Sequence, residues 1–182
     1  MRLIYILAIL TFIGMAVLWG GWYGLCRRKL AAALAAACII VGGVLLLLAV
    51  LPGNSFYGTT VTAEPTAGKN VALTFDDGPS AHTARILDCL EANDARATFY
   101  MVGNRMGTYQ STVKRMVDMG CEPGSHTWDH TYITKLSQEG LFANLNRLDD
   151  TLQSIAGVRT VTMRPPGGFV SDNAKQNLAK KG

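Results

Sequence analysis

The sequence predicts an α/β protein, built as a two-helix transmembrane hairpin followed by strand and helix units that lay down a parallel sheet. Three observations predict it. Two long uncharged apolar stretches open the chain; every Asp and Glu lies after Leu51; and from Val71 onward short strand-like runs alternate with segments of helical periodicity.

Leu3 to Leu25 and Leu30 to Leu51 each reach the roughly 20 residues that a helix needs to cross a bilayer. A cleaved signal peptide is the competing reading of the first stretch. Its apolar run exceeds the roughly 7–15 residues of a signal core, and a second span follows at once. So short a connection makes the pair a hairpin with both ends on one side. Arg27, Arg28 and Lys29 hold the connection in the cytoplasm, which puts everything after Leu51 outside. Trp19, Trp22 and Tyr23 suit an interfacial belt, whereas Arg2 opposes this orientation. The expected location is the plasma membrane, multi-pass, with the remaining domain extracytoplasmic.

Of the 17 basic residues, four (Arg2, Arg27, Arg28 and Lys29) precede Leu51, which leaves 13 to balance the 13 acids of the exported part. The net charge of +4 therefore reflects membrane topology, and no basic face points to nucleic acid. Oligomeric state is not written in the sequence.

Pro52 to Asn70 is rich in Gly, Thr, Pro, Asn and Ala and reads as a linker, so the expected divisions are 1–51, 52–70 and 71–182. The first strand, Val71 to Phe75, is expected to be buried. Ile86, Leu87 and Leu90 form a helical face that ends near Asn93, before a second strand at Ala97 to Val102. Val113, Met116 and Val117 mark the next helix, which leads to a strand-like approach at Cys121. The clearest helix follows Ser137, with Leu141, Leu145, Leu148, Leu152 and Ile155 on one stripe. Val158 to Met163 is the expected fourth strand, and Asn173 to Lys181 a last helix.

Chemistry-bearing residues gather after the strands. Asp76 and Asp77 end the first one before Gly78-Pro79; side chains alternate along a strand, so one acid can bind a metal while the other takes a proton. The alternative is a turn in which aspartate only bonds nearby amides. His126 and His130, in Ser125-His126-Thr127-Trp128-Asp129-His130, can face one cation from a helical turn or tight loop. With a carboxylate they make a two-His, one-carboxylate set that leaves coordination positions open. Arg164, in Met163-Arg164-Pro165-Pro166-Gly167-Gly168, is expected as a buried guanidinium able to hold a carboxylate.

TFDDGP, SHTWDH and RPPGG, in that order, resemble the polysaccharide deacetylase family, the NodB-homology domain of carbohydrate esterase family 4. The resemblance runs from about Asn70 to Gly182 and includes ATFYMVGNRM at Ala97 to Met106. It implies a distorted (β/α) barrel, here partial, and hydrolysis of N-acetyl or sometimes O-acetyl groups on chitin, peptidoglycan or xylan. It also implies that Asp77, His126 and His130 hold a divalent metal ion, zinc (Zn2+) being the expected one. By the same resemblance Asp76 is the catalytic base, Arg164 orients it, and the Gly167 amide helps bind the oxyanion. An exported, membrane-held position makes cell-wall polysaccharide, and peptidoglycan first, the expected substrate.

Two departures from the family shape these expectations. Gly167 stands where the family usually carries an aromatic residue, so an aromatic wall for the sugar is expected to be lost. The family's Asp-Trp and Leu-x-His elements are not found, and His82, His126 and His130 are the three histidines, so the family's acid histidine is missing. Four units in about 112 residues against the 200 or more of a typical barrel read as a truncated chain, unstable or inactive alone. A catalytically inactive glycan-binding module and an O-acetyl esterase are therefore the competing functions. Cys89 and Cys121 are expected on buried elements, free or, since export permits it, paired. His82 is expected at the surface and Tyr100 in the core, and Trp128, between the histidines, is a candidate wall for a sugar.

Overall fold

The computed structural model describes residues 2–24, 27–50 and 68–181, in two compact units, 1–69 and 70–182. Most of the expected linker, together with Leu25, Cys26 and Leu51, lies outside the described residues.

Helices α1 (Arg2–Trp22) and α2 (Arg28–Val50) form the first unit. Both are long and apolar enough to cross a membrane. Ile9, Phe12, Ile39 and Leu47 are exposed around them, an apolar surface that water does not favour. Small residues bring the pair close. A methyl group at Gly14 would touch Cys38 at 3.8 Å and one at Gly42 would touch Leu7 at 3.5 Å, while Ala31 and Ala35 are buried. Gly24, at φ 74°, ends the first helix.

The second unit is a three-stranded parallel sheet, ordered β1 (Thr74–Gly78), β2 (Thr98–Met101), β3 (Glu122–Ser125). Between them run α3 (Thr83–Ala92), the short α4 (Gly103–Met106) and α5 (Gln110–Asp118); α6 (Gln138–Ala156) and α7 (Asp172–Lys181) follow. Phe99 and Met101 on the central strand are fully buried with Leu87, Met106, Val113, Met116, Leu148 and Leu152. The stripe on α6 works as expected: Leu141 and Leu145 serve a second cluster with Ile133, and Leu148 and Leu152 serve the first. By alternation, the opposite sheet face carries Thr74 and Asp76 beside Thr98 and Tyr100, then Glu122 and Gly124. That polar face is where the site lies.

Four expectations change. The first strand begins at Thr74 and is not buried, because β1 is the edge of the sheet: Val71 is 82% exposed, and Phe75 alone stacks inward on Phe99 at 5.1 Å. The third strand begins just past the expected approach at Cys121 and runs over Glu122–Ser125, Pro123 included. Val158 to Met163 is not a strand; it joins β3 by a single bridge, through Ser125 N–H to Thr162 and Arg164 N–H to Ser125. Pro123, two residues before Ser125 and so turned to the same side, has no N–H with which to extend that ladder. Cys89 is exposed and Cys121 buried, and both are free. Two residues beyond buried Leu87, Cys89 lies about 200° round α3 from the core face.

Candidate metal centre and catalytic carboxylate

Asp77 reaches the site through a break in the sheet. The β1–β2 register runs Asp76 to Tyr100 and then Gly78 to Met101, so Asp77 is a bulged residue, at φ 63°. Simple alternation predicts two acids pointing apart; the bulge instead re-aims the second one. The Arg105 guanidinium donates to the Asp77 carbonyl, and Val102 N–H to that of Gly78 at 2.7 Å, which pins the bulge to the start of α4.

His126 and His130 lie on a loop, not a helical turn. Thr127 (φ 67°) and His130 (φ 61°) are left-handed, and these two reversals curl the loop so that the rings meet with centroids 5.0 Å apart. A left-handed conformation costs a non-glycine residue about 1–2 kcal/mol, most of all a β-branched one such as Thr127. The surroundings enforce it. Gly103 and Asn104, opening α4, donate to the carbonyls of Thr127 (3.1 Å) and Trp128 (2.8 Å). From α6, Asn144 accepts from Trp128 N–H at 2.6 Å and donates to Asp129 at 3.0 Å. Burial, the largest influence on Asp129, pushes its carboxyl up, but hydrogen bonds from Thr131 and Asn144 outweigh it and leave it below the usual range.

Asp77 Oδ1 lies 3.1 Å from His130 Nε2 and 3.7 Å from His126 Nε2, and the three donor atoms fall within 4.8 Å of one another. Donors on a tetrahedral ion at about 2.0–2.1 Å stand roughly 3.3 Å apart, and the two Asp77 separations lie close to that, so the set could hold a metal ion. His126 is buried, and its Nδ1 donates to the Arg164 carbonyl at 2.6 Å. That bond fixes the tautomer and leaves the Nε2 lone pair free for a metal.

Arg164 also serves Asp76. Its guanidinium donates to Asp76 Oδ1 at 2.7 Å and to Thr74 Oγ1 at 3.1 Å, and rests 4.3 Å above the Tyr100 ring. Gly124 leaves room for that ring, since a Cβ there would come within 2.5 Å of it. Against expectation the guanidinium is not buried: side-chain exposure is 39% for Arg164 and 36% for Asp76, because the neighbouring edge strand is open to water. Gly167, at φ 65°, sits in a turn closed by Gly168 N–H to Pro165.

Asp77, His126 and His130 thus come together, Arg164 touches both His126 and Asp76, and Gly167 lies in the turn three residues beyond Arg164. His82 is exposed at the start of α3, as expected. Tyr100 is partly buried, a shelf for Arg164 and not core. Trp128 packs on the core and on Gly103, under the Arg147 guanidinium at 4.1 Å. The sequence reading missed Thr74, Arg105 and Asn144; nothing in the pattern of α6 sets Asn144 apart from other polar positions.

The family model described as polysaccharide deacetylase matches residues 63–182. Among curated relatives, a peptidoglycan-N-acetylmuramic acid deacetylase of Bacillus subtilis is 39% identical over 111 residues, 60% of this chain and 24% of that one. A chitin deacetylase of a Pestalotiopsis species is 42% identical over 120 residues, 64% of this chain and 39% of that one. The solved chitin deacetylase of Colletotrichum lindemuthianum superposes with a TM-score of 0.59 at 34% identity, covering 61% of this chain and 51% of that one. The chain spans between a quarter and two fifths of the length of these curated relatives.

Proposed function

The chain belongs to the polysaccharide deacetylase family, and from that premise we propose that it is a metal-dependent hydrolase removing N-acetyl groups from a cell-wall polysaccharide, with peptidoglycan as substrate. One observation carries the reading: a two-imidazole, one-carboxylate set lies beside an arginine-braced carboxylate, and Arg164 bonds to both.

In this reading Asp77, His126 and His130 hold one divalent ion, zinc, which supplies Lewis-acid polarisation of the acetyl carbonyl and its attacking water. Asp76 accepts the proton that the water gives up. Arg164 holds and aims that carboxylate, with Thr74 and Tyr100 fixing the guanidinium. The Gly167 amide donates to the oxyanion that forms at the acetyl oxygen. The departing amine then needs a proton, since an amide anion is too basic to leave.

An O-acetyl esterase is the second reading, because an alkoxide asks less of an acid. The test is acetate release from an N-acetylglucosamine oligomer and a matched O-acetylated sugar, by the wild-type chain and Asp76→Asn, with and without chelator. Release from the N-acetyl substrate, lost in Asp76→Asn and under chelator, supports the proposal. Release from the ester alone supports the second reading, and release from neither leaves a glycan-binding module.

The domain also needs a place to work. In our reading α1 and α2 form a membrane hairpin with the basic turn inside the cell, and the 71–182 domain, part of a distorted (β/α) barrel, stands outside. The two long apolar helices, and Arg27, Arg28 and Lys29 at their junction, support it. A reporter enzyme active only outside the cell, fused after Gly68, is expected to be active; a signal only from a cytoplasmic reporter overturns the hairpin.

A further inference from the structure

Two aromatic side chains lie in water beside the site. Tyr132 is 37% exposed and Phe169 is 59% exposed, and neither belongs to a buried core cluster. Their rings meet edge to face, with centroids 5.7 Å apart at 66°, which makes a shallow corner. Each follows a site residue by two positions, Tyr132 after His130 and Phe169 after Gly167. Both rest against Gly167. A Cβ there would lie 2.9 Å from Phe169 Cδ2 and 3.1 Å from Tyr132 Cε1, so these rings and a side chain at position 167 exclude one another. The aromatic surface expected to be lost with Gly167 is therefore supplied from two other positions, around the amide assigned to the oxyanion.

A pyranose ring suits such a corner. It offers an apolar face of C–H bonds to an aromatic plane and a rim of hydroxyls to polar groups, and the corner has such groups. Lys135 Nζ stands 5.1 Å from the centroid of Tyr132, and the Tyr132 hydroxyl is a second partner. A half-exposed aromatic pair beside a site, flanked by polar atoms, is a surface that gains by being covered. We propose that Tyr132 and Phe169 form a sugar-stacking platform that seats a pyranose of the polysaccharide against Gly167, with Lys135 backing the Tyr132 ring from over one face. The inference rests on the deacetylase reading for its choice of ligand.

The test uses the full zinc-loaded chain in detergent, in an Asp76→Asn background so that binding is read without turnover. Affinity for an N-acetylglucosamine oligomer is measured by calorimetry for Tyr132→Ala, Phe169→Ala, both together, Tyr132→Phe and Phe169→Leu. Each alanine variant is expected to weaken binding roughly three- to tenfold, and the pair more. Phe169→Leu keeps apolar volume without the ring and is expected to lose about as much as Phe169→Ala, whereas Tyr132→Phe stays within about twofold of its parent. Zinc affinity and melting temperature are expected to stay constant throughout. Unchanged oligomer affinity in the double variant, or no oligomer binding by the parent, overturns the platform. Aromatic-dependent binding by a chain whose wild type releases no acetate keeps the platform and removes the deacetylase; acetate release with a KM untouched by either ring does the reverse.

Discussion

The two halves of the site are held in place by different means. The metal half is built from backbone: a bulge at Asp77, left-handed residues at Asp77, Thr127 and His130, and amides of Gly103 and Asn104 that brace the loop from behind. The base half is built from side chains, with Asp76 held by Arg164 and Arg164 by Thr74 and Tyr100. A side-chain tie can be cut singly, whereas a backbone-built loop yields only when its supports go. The halves should therefore respond differently to substitution.

The largest effect is expected from the base half alone. Asp76→Asn should lower acetate release by about 10²–10⁴-fold, the usual contribution of proton transfer, while zinc affinity by chelator competition stays within about twofold. A parallel loss of zinc would show that the halves are not separable. Next, His126→Ala or His130→Ala should weaken zinc binding by at least about tenfold, the scale that even the loss of an outer partner reaches. Unchanged binding in both would remove the donor set. Asn144→Leu keeps the size of the side chain but deletes two loop braces at once, leaving Trp128 N–H and one Asp129 bond unmade. We expect about 1–3 kcal/mol of lost stability and several-fold weaker zinc, measured by denaturant unfolding and the same competition. A stability loss with no change in zinc would mean that the loop holds its shape without α6.

The smallest effect should touch neither half. Ser137 caps α6 by accepting from Gly140 N–H at 3.1 Å, so Ser137→Ala is expected to cost about 1 kcal/mol with zinc and turnover unchanged. Glu139 reports on the same cap: first its own backbone N–H, then the Ser137 hydroxyl, hold its carboxyl below the usual 4.5. A depressed carboxyl stabilises fully above its unfolded pKa and less as pH falls through the folded one. The Ser137→Ala deficit should accordingly shrink in acid unfolding titrations, and a deficit that grows there would contradict the cap.

The division between backbone and side chain also explains what the sequence disclosed. Residue types marked Asp76, Asp77, His126, His130 and Arg164 as candidates, and the structure brings their side chains together. The helices were legible from their apolar period, most plainly Leu141 to Leu152. What remained hidden was conformational. A bulge at Asp77 looks the same in sequence as a strand end, Thr127 is among the residues least expected at positive φ, and Asn144 is one polar residue among several on its helix. The missing fourth strand had a visible cause in Pro123, yet its effect depends on which side that residue faces, and only pairing decides this. Tyr132 and Phe169 carry no motif at all; their meaning comes from the bare Cα of Gly167 between them.

Arg164 contributes to the base half through its guanidinium and to the metal half through its carbonyl. Every substitution removes the first contribution and none removes the second, because all amino acids share the carbonyl. Drift at this codon can therefore silence the chemistry while leaving His126 in the tautomer that binds a metal. A lineage that loses this arginine would be expected to keep the Asp77, His126 and His130 set while Asp76 stands unbraced, and the reverse, a braced Asp76 beside a disordered donor set, should not arise from changes here. Only an ester in place of the following amide, or a shift of the whole segment, would reach the other half.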